Sequence, residues 1–233
     1  MTAEDELEEF DLVGISSYSA QIDEAYALAD RYRARGIPVV LGGLHVSLMP
    51  DEAAQHADSI VLYGAEGAWP QLVEDFRSNR MQPRYEGLRA GVFDDGNYAV
   101  PRFDLLRGRE YNRLTVQTSR GCPLNCEFCA ASLRITSSFQ QKPVSKVLDE
   151  MNSALQVTES PFFELADDNT FVNKKWGKEF LRALIPLGIK WFTETDISVA
   201  DAFVVAGRDH RRDPRAVDEG EHADLLTFHI LLN

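Results

Sequence analysis

Short apolar runs alternate along this chain with stretches whose apolar residues recur every three or four positions. Asp11–Ser16 (DLVGIS) reads as a buried strand. Ile22–Arg35 reads as a helix with Ala25, Leu28, Ala29 and Tyr32 on one face, stopped by Gly36-Ile37-Pro38. Val39–Leu41 is a second strand that ends at Gly42-Gly43. Pro50–His56 is a short helix whose proline suits its first turn, Ser59–Tyr63 a third strand, and Ala68–Phe76 a further helix. Strands alternating with helices predict right-handed βαβ units and a parallel sheet. Three strands are few for such a sheet, so this domain looks short at its front.

The pattern lapses between Ser78 and Asn112. Within that connector, Asp94-Asp95-Gly96-Asn97 flanked by Gly91-Val92-Phe93 and Tyr98-Ala99-Val100 predicts a hairpin, and Phe103, Leu105, Leu106 and Tyr111 are expected to anchor the crossing. A second series follows: strand Leu114–Thr118, helix Val144–Leu155, strand Phe162–Ala166, helix Lys174–Leu184, strand Lys190–Thr195. After about Ala202 the apolar period is lost and charge becomes dense, so residues 202–233 are expected to be a disordered tail. The predicted organisation is a front α/β domain over residues 1–77, a connector over 78–112, a second α/β domain over 113–201, and the tail.

Charge and composition then narrow the function. A formal net charge of −13 makes nucleic acid a poor partner. No run of eighteen apolar residues exists to span a bilayer, and the acidic start lacks the basic and apolar parts of a secretory signal, so a cytoplasmic protein is expected.

The three cysteines all fall in one window, Cys122-x-x-x-Cys126-x-x-Cys129. An odd, clustered set is not a disulfide framework. Three thiolates at this spacing can each take one iron of a four-iron cube, which is normally held by four cysteines. With no fourth cysteine in the chain, either another ligand completes the cluster or one iron stays open for chemistry. A structural zinc site would also want a fourth ligand, and no histidine lies within fifteen residues of the loop. Three unrelated thiols would rarely fall so close together.

Gln117-Thr-Ser-Arg-Gly-Cys-Pro-Leu-Asn-Cys-Glu-Phe-Cys resembles the signature of the radical S-adenosylmethionine superfamily. The resemblance implies a [4Fe-4S] cluster on Cys122, Cys126 and Cys129, with its open iron chelated by S-adenosylmethionine. It also implies a partial six-unit βα barrel with Phe128 near the adenine. One electron from the cluster would cleave S-adenosylmethionine to a 5′-deoxyadenosyl radical. Asp167-Asp168-Asn169 stands where the family often has a Gly-Gly-Glu run that binds the amino group of S-adenosylmethionine, which points to Asp168 and Asn169. Read from the residues alone, those two could equally cap the helix Lys174–Leu184. Glu194 and Asp196, at the next strand end, read as solvated carboxylates.

The front domain, with Ser16-Ser17-Tyr18, Gly42-Gly43-Leu44-His45 and Gly64-Ala65-Glu66-Gly67 after successive strands, resembles a cobalamin-binding domain. Cobalamin is then expected against Ser16, Ser17, Tyr18, Gly42, Gly43, Gly64 and Glu66. Read alone, each glycine is only a turn residue. The Asp-x-His-x-x-Gly run that supplies a cobalt-ligating histidine in some cobalamin proteins is absent, and His45 is expected to line a turn instead. The implied function is methyl transfer or rearrangement on a small-molecule substrate, with an electron donor such as flavodoxin or ferredoxin. The family would continue with three more βα units where this chain has its charged stretch. Residues 1–233 are therefore expected to be truncated at both ends, with little radical chemistry of their own. The alternative is a non-catalytic remnant that binds a cluster or cobalamin.

Overall fold

The computed structural model describes two compact units. One consists of residues 9–94, 98–99, 129 and 138. The other consists of residues 100–106, 111–124, 126–127, 139–157 and 162–199. The turn 95–97 of the expected hairpin, Phe128 and the expected tail lie outside the described residues. Among those described, no helix is long and apolar enough to cross a membrane.

The first unit is built on a parallel sheet of four strands in the order β1 (Val13–Ser16), β2 (Val39–Gly42), β3 (Ser59–Leu62) and β4 (Arg84–Glu86). The two central strands are buried and, apart from Ser59, free of polar side chains, because both faces of the sheet are covered. Their alternate residues divide between two cores. Val39, Leu41, Ile60 and Leu62 pack with Ile22, Ala25 and Ala29 of α1 (Ile22–Ala34) and with Val46 of α2 (Leu44–Leu48). Val40 and Val61 face the other way, onto Ala68 and onto Leu72 of α4 (Trp69–Arg77). The strand period of two thus sorts one apolar run into two layers.

Three elements differ from the sequence expectation. The stretch 84–86, expected within the connector, forms β4, with Tyr85 buried and its hydroxyl donating to Asp75 at 2.8 Å. The expected helix over Pro50–His56 becomes α2 and a shorter α3 (Pro50–Ala53), because the helical path already starts after Gly43. The flanks of the expected hairpin, 91–93 and 98–100, are not strands.

The second unit carries the parallel sheet β5 (Leu114–Val116), β8 (Phe162–Leu165) and β9 (Lys190–Thr193), with β8 central. Leu114, Val116, Phe163 and Leu165 turn one face to α5 (Val144–Leu155) and α6 (Lys174–Leu184), meeting Val147, Met151, Ala154, Phe180 and Leu184. Both helices have the expected bounds. A small antiparallel pair not anticipated from sequence, β6 (Ser119–Arg120) with β7 (Gln140–Gln141), closes the ends of the cysteine segment. Of the expected anchors, Phe103 is buried and Leu106 packs against the core, whereas Leu105 and Tyr111 are exposed.

Helix α6 starts where it does because the Asn173 side chain accepts the Trp176 backbone N–H at 3.1 Å. Replacing an N-cap asparagine by alanine typically costs about 1 kcal/mol. Asn173→Ala should therefore lower the urea midpoint reported by Trp176 and Trp191 fluorescence, and Asn173→Asp should not. Equal midpoints for Asn173→Ala and wild type would remove the cap from the account.

Candidate functional sites at two strand edges

In a parallel sheet all carboxyl ends lie on one edge, so the loops that leave successive strands gather there. In the first unit β1 and β2 pair in register, Ser16 opposite Gly42, and Ser17-Tyr18 and Gly43 follow side by side. Gly43 has φ +97°. A Cβ added there would lie 2.8 Å from both Ser16 Oγ and the Ser17 carbonyl oxygen. Its missing side chain is what lets the two loops touch. Ser47 then ties the second loop to the third: its hydroxyl donates to the Gly43 carbonyl at 2.9 Å and accepts the Tyr63 N–H at 2.9 Å. The third loop is held by a reciprocal backbone pair between Gly64 and Leu88, at 3.0 and 2.8 Å. Ser17 is buried, Ser16 and Tyr18 are exposed, and Gly42, Gly43, Gly64 and Glu66 are half-buried, so these seven residues present one glycine- and serine-lined edge.

His45 sits in the first turn of α2. Its Nδ1 lies 2.9 Å from Ser19 Oγ and its Nε2 3.3 Å from Glu52 Oε1, so both ring nitrogens are engaged within the protein. Tyr26 donates to the same Glu52 oxygen at 3.1 Å. Burial first, then this bond, pushes its phenol up to about 12. His45 braces the loop.

In the second unit the strand-end loops are joined by charge. Asp167, 6% exposed, follows β8, and one of its oxygens accepts the backbone N–H groups of Thr118 (2.8 Å) and Ser119 (2.7 Å). Its other oxygen accepts the hydroxyls of Thr118 (2.7 Å) and Thr170 (2.8 Å). The carboxylate thereby fixes the path that leads into Gly121 and Cys122.

Beside it, the Asn169 side chain lies near enough to the Cys122 thiol to pull its pKa down. Asn169 also donates to Asp196 at 2.6 Å and accepts the Thr195 hydroxyl at 2.9 Å. Three successive strand ends are thus knitted together: the cysteine loop, 167–169 and 194–196. Asn173, not Asp168 or Asn169, caps α6, so the capping reading of those two residues is set aside. Asp196 is bonded to Asn169 and Ser198 rather than simply solvated.

Burial and then neighbouring negative charge raise the two groups that flank the loop. Burial pushes the Cys122 thiol up, the Leu124 backbone N–H pulls it back, and Asp168 and Cys126 push it up further before Asn169 offsets them. Asp168, exposed on one side, has its carboxyl raised by partial burial and then by the charges of Asp167 and Glu194. A bound cation would reverse both shifts.

Cys122, Cys126 and Cys129 are in no disulfide and are all half-buried. Among the described residues, no three His, Cys, Asp or Glu side chains are gathered as a ready ligand set. The fit to an iron–sulfur cluster lies in the thiol chemistry of the loop and in the raised pKa of Cys122, a shift that metal binding would relieve. The fit to cobalamin lies in the close approach that Gly43 permits.

Two residues that carry much of this arrangement escaped the sequence reading, although each left a signal. Asp167 stood in the Asp-Asp-Asn run, but only its neighbours were singled out. Glu150 lies inside the apolar stripe Val147-Met151-Ala154 of α5, where a carboxylate is out of place.

The model of the B12 binding domain matches residues 2–73. Among curated proteins, the chain is 34% identical over 189 residues to the bacteriochlorophyllide d C-8(2)-methyltransferase of Chlorobaculum tepidum, covering 72% of this chain and 40% of that one. It is 28% identical to the bacteriochlorophyllide d C-12(1)-methyltransferase of the same organism, covering 78% and 41%. It is 26% identical to the hopanoid C-3 methylase of Methylococcus capsulatus, covering 77% and 38%. The chain thus spans about two fifths of the length of these relatives. Among solved structures, the methyltransferase TsrM of Kitasatospora setae superposes with a TM-score of 0.62 at 17% identity, covering 85% of this chain and 47% of that one. The cobalamin-dependent enzyme OxsB superposes with a TM-score of 0.61 at 17% identity, covering 79% and 30%. At such identity these two show the fold alone.

One comparison isolates the close approach at the front edge. Gly36 and Gly43 both have positive φ, but an added Cβ meets nothing within 4 Å at Gly36. Gly36→Ala should cost about 1 kcal/mol for the backbone alone. Gly43→Ala should cost clearly more in thermal unfolding, because the added carbon collides with the β1 loop. Equal losses would show that the two loops are not in contact.

Proposed function

We propose that the chain is part of a radical S-adenosylmethionine protein that carries a cobalamin-binding domain, that its cysteine loop holds a [4Fe-4S] cluster and that its front sheet edge holds cobalamin. The chemistry supplied by the bound cofactors would be reductive cleavage of S-adenosylmethionine in the service of methyl transfer, or a related rearrangement, on a small-molecule substrate. The observation that carries this reading is the hold of Asp167, beside Asp168 and Asn169 at one strand end, on Thr118 and Ser119, which lead into Cys122 at the adjacent one.

Cys122, Cys126 and Cys129 would be the three ligands, with Phe128 beside the adenine. Asp168 and Asn169 would receive the ammonium of S-adenosylmethionine, since a carboxylate whose nearest charges are negative gains most from a cation. In the front unit, Ser16, Ser17 and Tyr18, with Gly42, Gly43, Gly64 and Glu66, would line the cobalamin edge. Small residues there leave backbone amides and carbonyls free to approach a large cofactor. His45, with both nitrogens engaged, would not ligate cobalt. The reducing electron would come from a donor such as flavodoxin or ferredoxin, in a cytoplasmic setting that keeps the thiols reduced. In the relatives matched here the chain corresponds to only part of the whole protein, so turnover belongs to the whole.

Anaerobic reconstitution should give a brown protein with about four irons per chain, and alanine at any of the three cysteines should abolish it. One tightly held zinc with no iron–sulfur absorbance would overturn the cluster assignment. A triple cysteine-to-alanine chain that still retains cobalamin on gel filtration would support the front edge independently; loss of cobalamin from that chain with its fold intact would count against the edge.

A further inference from the structure

Behind the cysteine loop lies a buried pair of opposite charges that the reading above does not use. Lys142 follows β7 directly and is 2% exposed; Glu150 of α5 is 1% exposed. The Lys142 ammonium reaches both Glu150 oxygens, at 2.9 and 3.0 Å. The backbone of Lys142 is held as firmly. Its N–H donates to the Thr118 carbonyl at 2.8 Å, and its carbonyl accepts the Trp176 indole N–H of α6 at 2.8 Å. Gln141 adds a side-chain bond to the same Thr118 carbonyl at 3.3 Å.

Thr118 is therefore gripped from two sides: its N–H and hydroxyl by Asp167, and its carbonyl by the segment that Lys142 anchors. Cys122 follows four residues later. Stability alone does not account for such a pair. Desolvating two charges is costly, and a well-packed apolar pair of similar volume often serves as well or better. What an apolar pair lacks is a single fixed geometry, since an ammonium chelated by two carboxylate oxygens is satisfied in one place only. Burial pushes the Lys142 ammonium down and the Glu150 carboxyl up, and the nearby Asp167 charge supports the ammonium.

We propose that Lys142 and Glu150 are positioning residues that set the path of the Thr118–Cys122 segment, a role that rests on the cysteine loop being the cluster site. They act through the Lys142 backbone on the Thr118 carbonyl, opposite Asp167.

The test compares the full chain with Lys142→Met/Glu150→Leu, which replaces the charges by apolar groups, and with Lys142→Arg, which keeps the charge. Hydrogen exchange is read at the Thr118 and Ser119 amides of the apo chain, alongside the electron paramagnetic resonance spectrum of the reduced, reconstituted cluster. The double variant should retain its melting temperature, yet exchange at the two amides should rise about tenfold or more. Amides of β1 to β4 should be unchanged, and the single cluster spectrum should become a mixture. Lys142→Arg should preserve both readouts. A folded double variant with unchanged exchange and an unchanged spectrum would overturn the proposal. Should the double variant not fold, Glu150→Gln, which keeps shape but drops the charge, is read by the same criteria. Should the wild-type chain take up no iron, the exchange rates still decide the positioning role, and only the cluster assignment falls.

Discussion

The second unit depends on one carboxylate. Asp167 is out of water, and a buried charge is tolerable only when donors replace its hydration. Here two amides and two hydroxyls do so, three of them from Thr118 and Ser119 at the start of the cysteine segment. Hydrogen bonds to a charged group are each worth about 1.5–3 kcal/mol, roughly twice those between neutral groups. Removing the charge would strand several donors at once. The end of β5 is thereby tied to the end of β8 by more than their own short ladder.

The first unit reaches the same end, adjacent loops brought into register at a sheet edge, by a different route. It uses a missing side chain at Gly43 and the hydroxyl of Ser47 instead of a buried charge. The contrast suits the proposed ligands. A large neutral-to-polar cofactor is met best by bare backbone, whereas a cluster and a charged methionine group call for thiols and carboxylates.

How much of this was legible follows from the strength of each local pattern. Helices α5 and α6 were predicted to the residue, because their apolar stripes are regular and their flanks are abrupt. Strand β4 was not, since Arg84-Tyr85-Glu86 offers a single apolar residue and lies at a sheet edge. The β6–β7 pair is two residues long on each side, too short for any period to register. Leu105 and Tyr111 looked like anchors and are exposed, because hydrophobicity without a period does not say which way a side chain faces. The cysteine spacing and the glycine-rich strand ends could be read directly from the chain. Their supports, Asp167, Lys142 and Glu150, could not, because each acquires meaning only from partners far away in sequence. Asp167 and Glu150 still leave a trace, one in the Asp-Asp-Asn run and the other as a charge in an apolar stripe.

The bond from Thr118 to Asp167 spans 49 residues, and that separation orders events in time. Local helices form in microseconds or less, whereas contacts that close long loops must wait for the chain between them to be brought together. During synthesis the cysteine segment leaves the ribosome well before residue 167 exists. Until β8 docks beside β5, the three thiols hang on a strand that nothing yet holds. Anything that meets the thiols during synthesis meets a segment with a loose start first, and one whose start is braced at Thr118 and Ser119 only afterwards.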